Sequence, residues 1–323
     1  MAQATFVTVP IDADRVCGAI SQIGYRPASA LMDIIDNSVA AGARDLAVTL
    51  ELDPSKSIGN KNNVLSYTIF DDGSGMTDEE VLNAVALGSN AQYSPNSLSK
   101  YGLGLKSAGL SMGERISILS QKDGTLGKHY VVDRSLIRNQ GTYGVAVETA
   151  PPEVVSDLRK FLGDKRSGTL VRVSACINSH QESAQSTFEV LRDRLGVVYY
   201  EFLRRTPEPL AITVRVTGKP DFRIEPFDIL FSEIALPHFD ADTYDGKLPC
   251  LAFRGPVPVT EGESEPALLE VVLFPLAKMN TNPAFNRDER ALIGRFAVAR
   301  KNKGFFIYRN GRLIKWGDDL DGI

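Results

Sequence analysis

Residues 29–43 read SALMDIIDNSVAAGA, and the organisation of the chain turns on this stretch. Leu31, Ile34, Ile35 and Val39 recur at helical spacing and predict a core-facing stripe. Asp33 and Asn37 stand four residues apart, so both project from one neighbouring face. Pro27 suits a first helical turn and Gly42 a stop. A carboxylate and an amide one turn apart on an anchored helix can position a water and a cation. Taken alone, such a pair reads first as the solvated side of an amphipathic helix.

Three later stretches change that reading. Residues 66–70 (SYTIF) predict a strand running directly into Asp71-Asp72-Gly73-Ser74-Gly75-Met76. Then comes Tyr101-Gly102-Leu103-Gly104-Leu105-Lys106-Ser107-Ala108-Gly109, and later Ser167-Gly168-Thr169 opens the alternating strand LVRVSA. The four elements, in this order and spacing, resemble the nucleotide-binding motifs of the GHKL ATPases, the superfamily of gyrase B, the heat-shock chaperone, histidine kinases and MutL. DNSVAAGA is similar to MutL-type and MORC-type sequences, and YGLGLKSA is closest to MORC-like proteins.

The chain has 323 residues, enough for two domains with a core in each. Hydrophobic content of 43% and charged content of 24% are those of an ordinary soluble globular protein. No apolar run reaches the roughly 18 residues of a membrane span. The first residues, MAQATFVTVPIDADR, lack a signal-peptide pattern. Cys17, Cys176 and Cys250 are scattered, without zinc or disulfide spacing, and the expected compartment is a reducing cytoplasm. The net charge of −4 gives no general attraction to nucleic acid. Residues 287–315 carry nine Lys or Arg against Asp288 and Glu289, a basic excess that reads as a solvated face or as phosphate contacts within the protein, ahead of a DNA surface.

In order, residues 13–22 predict a helix capped by Asp12, and 45–52 and 64–70 predict strands. Thr77 with Glu80 forms a capping box for the next helix. Residues 88–100, GSNAQYSPNSLSK, are polar and irregular and predict a mobile segment. A helix from Gly104 and strands near 114–121, 128–133 and 142–149 complete a mixed sheet. Residues 182–205 form an amphipathic helix, followed by the strand-like LAITVRV, LEVVLFPL and GFFIYRNGRLI. The resemblance implies a transducer domain there. The chain ends eleven residues after Arg312, short of where such a domain stops, so a truncated N-terminal fragment is expected.

Each motif carries a chemical expectation. Asp71 can accept from an exocyclic amine, and the resemblance makes it the reader of adenine. Gly73 and Gly75 let backbone approach the ring, and the resemblance adds Met76 and Ala41 to the nucleotide-binding residues. Gly102, Leu103, Gly104 and Leu105 precede helix amides that face phosphates, with Lys100, Tyr101 and Lys106 as further contacts. The P-loop pattern fails because Leu105, not Gly, precedes Lys106-Ser107, and the dinucleotide pattern fails because Ser107 takes its last glycine position.

Asn37 supplies an amide oxygen suited to Mg²⁺, and the resemblance makes it the metal ligand. The resemblance also assigns the water-orienting carboxylate to the position of Asp33, where the family usually has glutamate. Asp36 is a lesser candidate for that role, since its helical position points away from the face of Asn37. Thr169 joins the adenine network by the same resemblance, and Lys315 is the first choice for a cation at the γ-phosphate, with Lys278 and Arg312 as competitors.

The expected architecture is thus an α/β GHKL (Bergerat) sandwich at 1–178 followed by a transducer-like α+β domain at 179–323. The expected activity is Mg²⁺-dependent ATP binding and hydrolysis with lid closure and homodimerisation, in a DNA-related or defence process with a DNA or protein client and no membrane. The alternative is a nucleotide-gated switch or scaffold with negligible hydrolysis. A histidine kinase is disfavoured, because no histidine-bearing helix precedes the ATP domain.

Overall fold

The computed structural model describes residues 7, 9–22, 25–87, 104–176, 182–258, 266–274, 283, 285–292 and 304–318. The segment 88–100 and the site candidates Lys100, Tyr101, Gly102, Leu103 and Lys278 lie outside the described residues.

Local signals set the first elements. Asp12 caps α1 (Ala13–Ser21), its carboxylate accepting from the Arg15 amide at 3.0 Å. Helix α2 (Pro27–Ala40) starts on proline, buries Leu31, Ile34 and Ile35, and is followed by Gly42 in the left-handed region. Strands β1 (Asp45–Leu52) and β2 (Val64–Asp71) pair antiparallel. Thr77 and Glu80 cap α3 (Asp78–Val85) reciprocally. Helix α4 (Gly104–Met112) runs directly into β3 (Gly113–Lys122), and a Cβ at Gly113 would stand 2.3 Å from the Ser174 carbonyl oxygen.

Helices α5 (Arg134–Gln140) and α6 (Pro152–Leu162) were not foreseen. They flank the remaining strands, β4 (Thr125–Leu126), β5 (His129–Asp133), β6 (Ala146–Glu148) and β7 (Gly168–Cys176). Beyond them lie α7 (Ala184–Val198), α8 (Tyr200–Leu203), β8 (Ala211–Val216) and β9 (Phe222–Arg223). The sheet order is β6-β5-β3-β7-β2-β1-β8-β9, with β4 attached to β3. Among the described residues of this sheet only the β1–β8 pairing is parallel, so the sheet is mixed.

The two faces carry different partners. Val154, Leu158 and Leu162 of α6 pack on Ala47, Phe70, Leu119 and Leu170. The opposite face carries Asp71, Thr169 and Ser120 in one row, because Thr169 pairs with Asp71 on one side and Ser120 on the other. Helix α2 covers this second face, with α4 and α1 packed beside it. The result is an α/β sandwich with a mixed sheet.

The sheet runs past residue 178, where the sequence placed a domain boundary, since β8 adds to β1. By contacts, one compact unit comprises 1–195 with 201–225, and the other 196–200 with 226–323. Within the second unit, β10 (Cys250–Val257) pairs with β11 (Ala267–Leu273), and β12 (Phe305–Arg309) with β13 (Arg312–Asp318). Asn310 and Gly311 both take positive φ in the β12–β13 turn, the primed geometry that the Asn-Gly dipeptide favours.

Candidate functional site

Asp71 ends β2 with its side chain on the α2 face and is only 5% exposed. One carboxylate oxygen accepts from Ser38 Oγ at 2.8 Å, and the other from the Gly73 amide at 3.0 Å. Burial pushes the carboxyl up to about 6, against the opposing pull of these two bonds and of the Thr169 amide. At neutral pH the group is a buried acceptor without a cation among those bonds, which is a costly arrangement unless a ligand uses it.

Asp72, its neighbour, does a different job. Burial raises its carboxyl, but Lys165 at 2.7 Å and the amides of Asp45 and Arg44 outweigh that and hold it below the usual range. Asp72 therefore ties the start of β1 to the end of β2.

The loop after Asp71 is pinned on both sides. Ser74 donates its amide to the Ala41 carbonyl at 2.9 Å, and Met76 donates its amide to Ser120 Oγ at 2.8 Å. The two glycines serve close approach of protein to protein. A Cβ on Gly73 would stand 2.8 Å from the Ala41 Cβ, and one on Gly75, at φ +65°, 2.0 Å from the Gln121 carbonyl oxygen. Ser120, 1% exposed, also lies 2.9 Å from Thr169 Oγ1 and 3.1 Å from the Gly168 carbonyl. Asp71, Gly73, Gly75, Met76, Ala41 and Thr169 are thus brought together. Ser38 and Ser120 belong with them, though their place in the sequence did not single them out.

The other end of the site is carried by α2 itself. Asp33 and Asn37 are half-buried, and Asn37 Nδ2 donates to the Asp33 carbonyl at 3.3 Å. That bond turns the amide nitrogen back onto its own helix and directs the amide oxygen away from it. Asp36 is half-buried on the same helix. An amide oxygen with a carboxylate one turn away is a hard-oxygen donor set. It fits Mg²⁺ held mainly through water and phosphate oxygens. No group of three or more His, Cys, Asp or Glu able to hold a metal alone occurs among the described residues.

Gly104, Leu105 and Lys106 form the first turn of α4, which packs against α2. The lysine is placed away from the expected phosphate role. Its side chain is 1% exposed, and Nζ donates to the carbonyls of Ala84 at 2.9 Å and Ala86 at 2.8 Å, capping the end of α3. Burial lowers its ammonium to about 8. Lys315 and Arg312 lie on β13, in the other compact unit from Asp33 and Asn37. No helix among the described residues is long and apolar enough to cross a membrane.

A family model described as histidine kinase-, DNA gyrase B- and HSP90-like ATPase matches residues 25–169, a span that begins just before α2 and ends on Thr169. ATPase morc-1 of Caenorhabditis elegans is 36% identical over 100 residues, which is 31% of this chain and 11% of that protein. The chain thus spans about a tenth of the length of this relative. Among solved structures, the topoisomerase IV ATP-binding domain of Francisella tularensis, in complex with a small-molecule inhibitor, aligns with a TM-score of 0.39 and 18% identity. That alignment covers 66% of this chain and 53% of the other.

Proposed function

Because residues 25–169 belong to the GHKL superfamily of ATPases, with MORC-like character, we infer that this chain binds ATP with Mg²⁺ and hydrolyses it. One observation carries the reading. Helix α2 presents Ser38 to the buried Asp71 carboxylate and, from an adjacent face, Asn37 and Asp33. A single rigid element therefore joins a base-reading acceptor to a phosphate-side oxygen pair.

In this reading Asp71 accepts from the exocyclic amine of adenine, and its buried acceptor disfavours bases that lack a donor there. Asn37 offers its amide oxygen to the metal. Mg²⁺ held there would supply neutralisation of phosphate charge. Asp33 accepts a hydrogen bond from the attacking water and orients it. Gly104 and Leu105 bring the first amides of α4 toward phosphate. Lys315 is the first choice for the cation at the γ-phosphate.

The finer reading follows from the same membership. Residues 88–100 have the composition of a lid that closes on bound nucleotide, closure favours a homodimer, and the second compact unit acts as a transducer-like domain. The client is DNA or a protein in a DNA-related or defence process, and the compartment is the cytoplasm. A second reading, a nucleotide-gated switch with negligible hydrolysis, is favoured by one feature: Asp33 is one methylene shorter than glutamate, so its reach to water is less. Calorimetry and phosphate release on one preparation separate the two. ATP binding with steady phosphate release supports the enzyme, binding without release supports the switch, and no binding refutes both.

A further inference from the structure

Ser120 Oγ sits among three polar atoms, and its chemistry allows only one arrangement that satisfies all of them. The Met76 amide is a donor and takes one lone pair of Ser120. The Gly168 carbonyl is an acceptor and needs the single Ser120 hydrogen. The third neighbour, Thr169 Oγ1 at 2.9 Å, must then be the donor to Ser120. Its one hydrogen is thereby engaged, and only lone pairs remain for anything else that approaches Thr169. Beside it in the same row stands Asp71, whose carboxylate is likewise an acceptor.

We propose that Ser120 is a specificity-determining residue: by taking the Thr169 hydroxyl hydrogen it makes the pocket floor a pair of acceptors, Asp71 and Thr169, which selects 6-aminopurine over 6-oxopurine triphosphates. The assignment rests on the ATP reading above. A 6-amino group brings two hydrogens to such a floor, directly or through a water. A 6-oxo group brings lone pairs, and none of its own hydrogens, against two acceptors. Ser120 touches no ligand in this account and acts through Thr169.

The test is the ratio of dissociation constants for ATP and inosine triphosphate, measured calorimetrically in Mg²⁺ on wild type, Ser120→Ala and Ser120→Cys, with melting curves to establish folding. Releasing the Thr169 hydroxyl lets it turn and donate to a 6-oxo group. The wild-type preference for ATP is therefore expected to fall about tenfold in Ser120→Ala, mainly through tighter inosine triphosphate binding. Ser120→Cys fills nearly the same space with a weak acceptor, so the ratio shifts the same way if the alanine variant does not fold. A merely structural role would weaken both nucleotides alike. Wild type that binds neither nucleotide, or both equally, overturns the ATP reading itself. A wild-type preference that persists unchanged in a folded Ser120 variant overturns the assignment of Ser120 alone.

Discussion

In the proposed reading, the base end and the phosphate end of the candidate site are built on different plans. At the base end, Asp71, Ser38, Gly73, Ser74, Met76, Ser120 and Thr169 are already bonded to one another or to Ala41. Such a floor is preorganised, so a ligand needs little further ordering there. At the phosphate end, Asp33 and Asn37 are half-buried side chains on one helix, and Asn37 is held by a single bond at 3.3 Å. In the proposed reading, selectivity belongs to the preorganised base end and turnover to the Asp33–Asn37 pair.

The largest expected effect lies at the phosphate end. Asp33→Ala is expected to keep ATP affinity while phosphate release falls by about 10²–10⁴-fold, the usual contribution of a general base. Asp33→Glu changes the rate in either direction if the carboxylate orients water. Phosphate release unchanged in both variants would leave Asp33 a solvated helix residue and favour the switch. Next, Asn37→Ala is expected to weaken Mg²⁺-dependent ATP binding by about a hundredfold or more, since the metal loses its amide oxygen. Equal calorimetric affinities in Mg²⁺ would remove the assignment.

Lys106 sharpens the comparison because the sequence predicts it at phosphate, whereas its ammonium caps the end of α3. Lys106→Met leaves the Ala84 and Ala86 carbonyls without their donor, so unfolding free energy is expected to drop by about 2–4 kcal/mol, with a small change in ATP affinity. A large loss of affinity at unchanged melting temperature would return Lys106 to phosphate binding.

The smallest effect concerns Asp71 in the absence of ligand. Its folded carboxyl lies above the ordinary value, so the folded state binds more protons, and stability is lost as pH rises through about 6. Asp71→Asn keeps the shape and removes that charge. Above pH 7 the variant is expected to be more stable than wild type by on the order of 1–2 kcal/mol, with the gap closing as pH falls toward 4. Denaturant melts at three pH values measure it, and a gap that widens on acidification would contradict the sign.

Much of this was legible in the chain because its signals are local. Asp12, Pro27, Gly42 and the Thr77–Glu80 box bound their helices as read, and β2 runs into Asp71 where the sequence predicts. Helix α6 was missed although Pro152, the spacing of Val154, Leu158 and Leu162, and Gly163 all mark it. What local signals cannot carry is register. Ser120 meets Thr169 only through the pairing of β3 with β7, and β8 reaches β1 across more than a hundred residues of chain. Lys106 shows the same limit, since its partners are carbonyls about twenty residues earlier on another helix.

The central claim is that a buried Asp71 carboxylate reads the base of a bound ATP. Titrating ATP and GTP in Mg²⁺ into wild type and Asp71→Asn, with melting curves on the same samples, tests it most directly. The account predicts that wild type prefers ATP by at least about tenfold and that Asp71→Asn loses about ten- to a hundredfold of ATP affinity without a lower melting temperature. Equal binding of ATP and GTP by the wild type would contradict it.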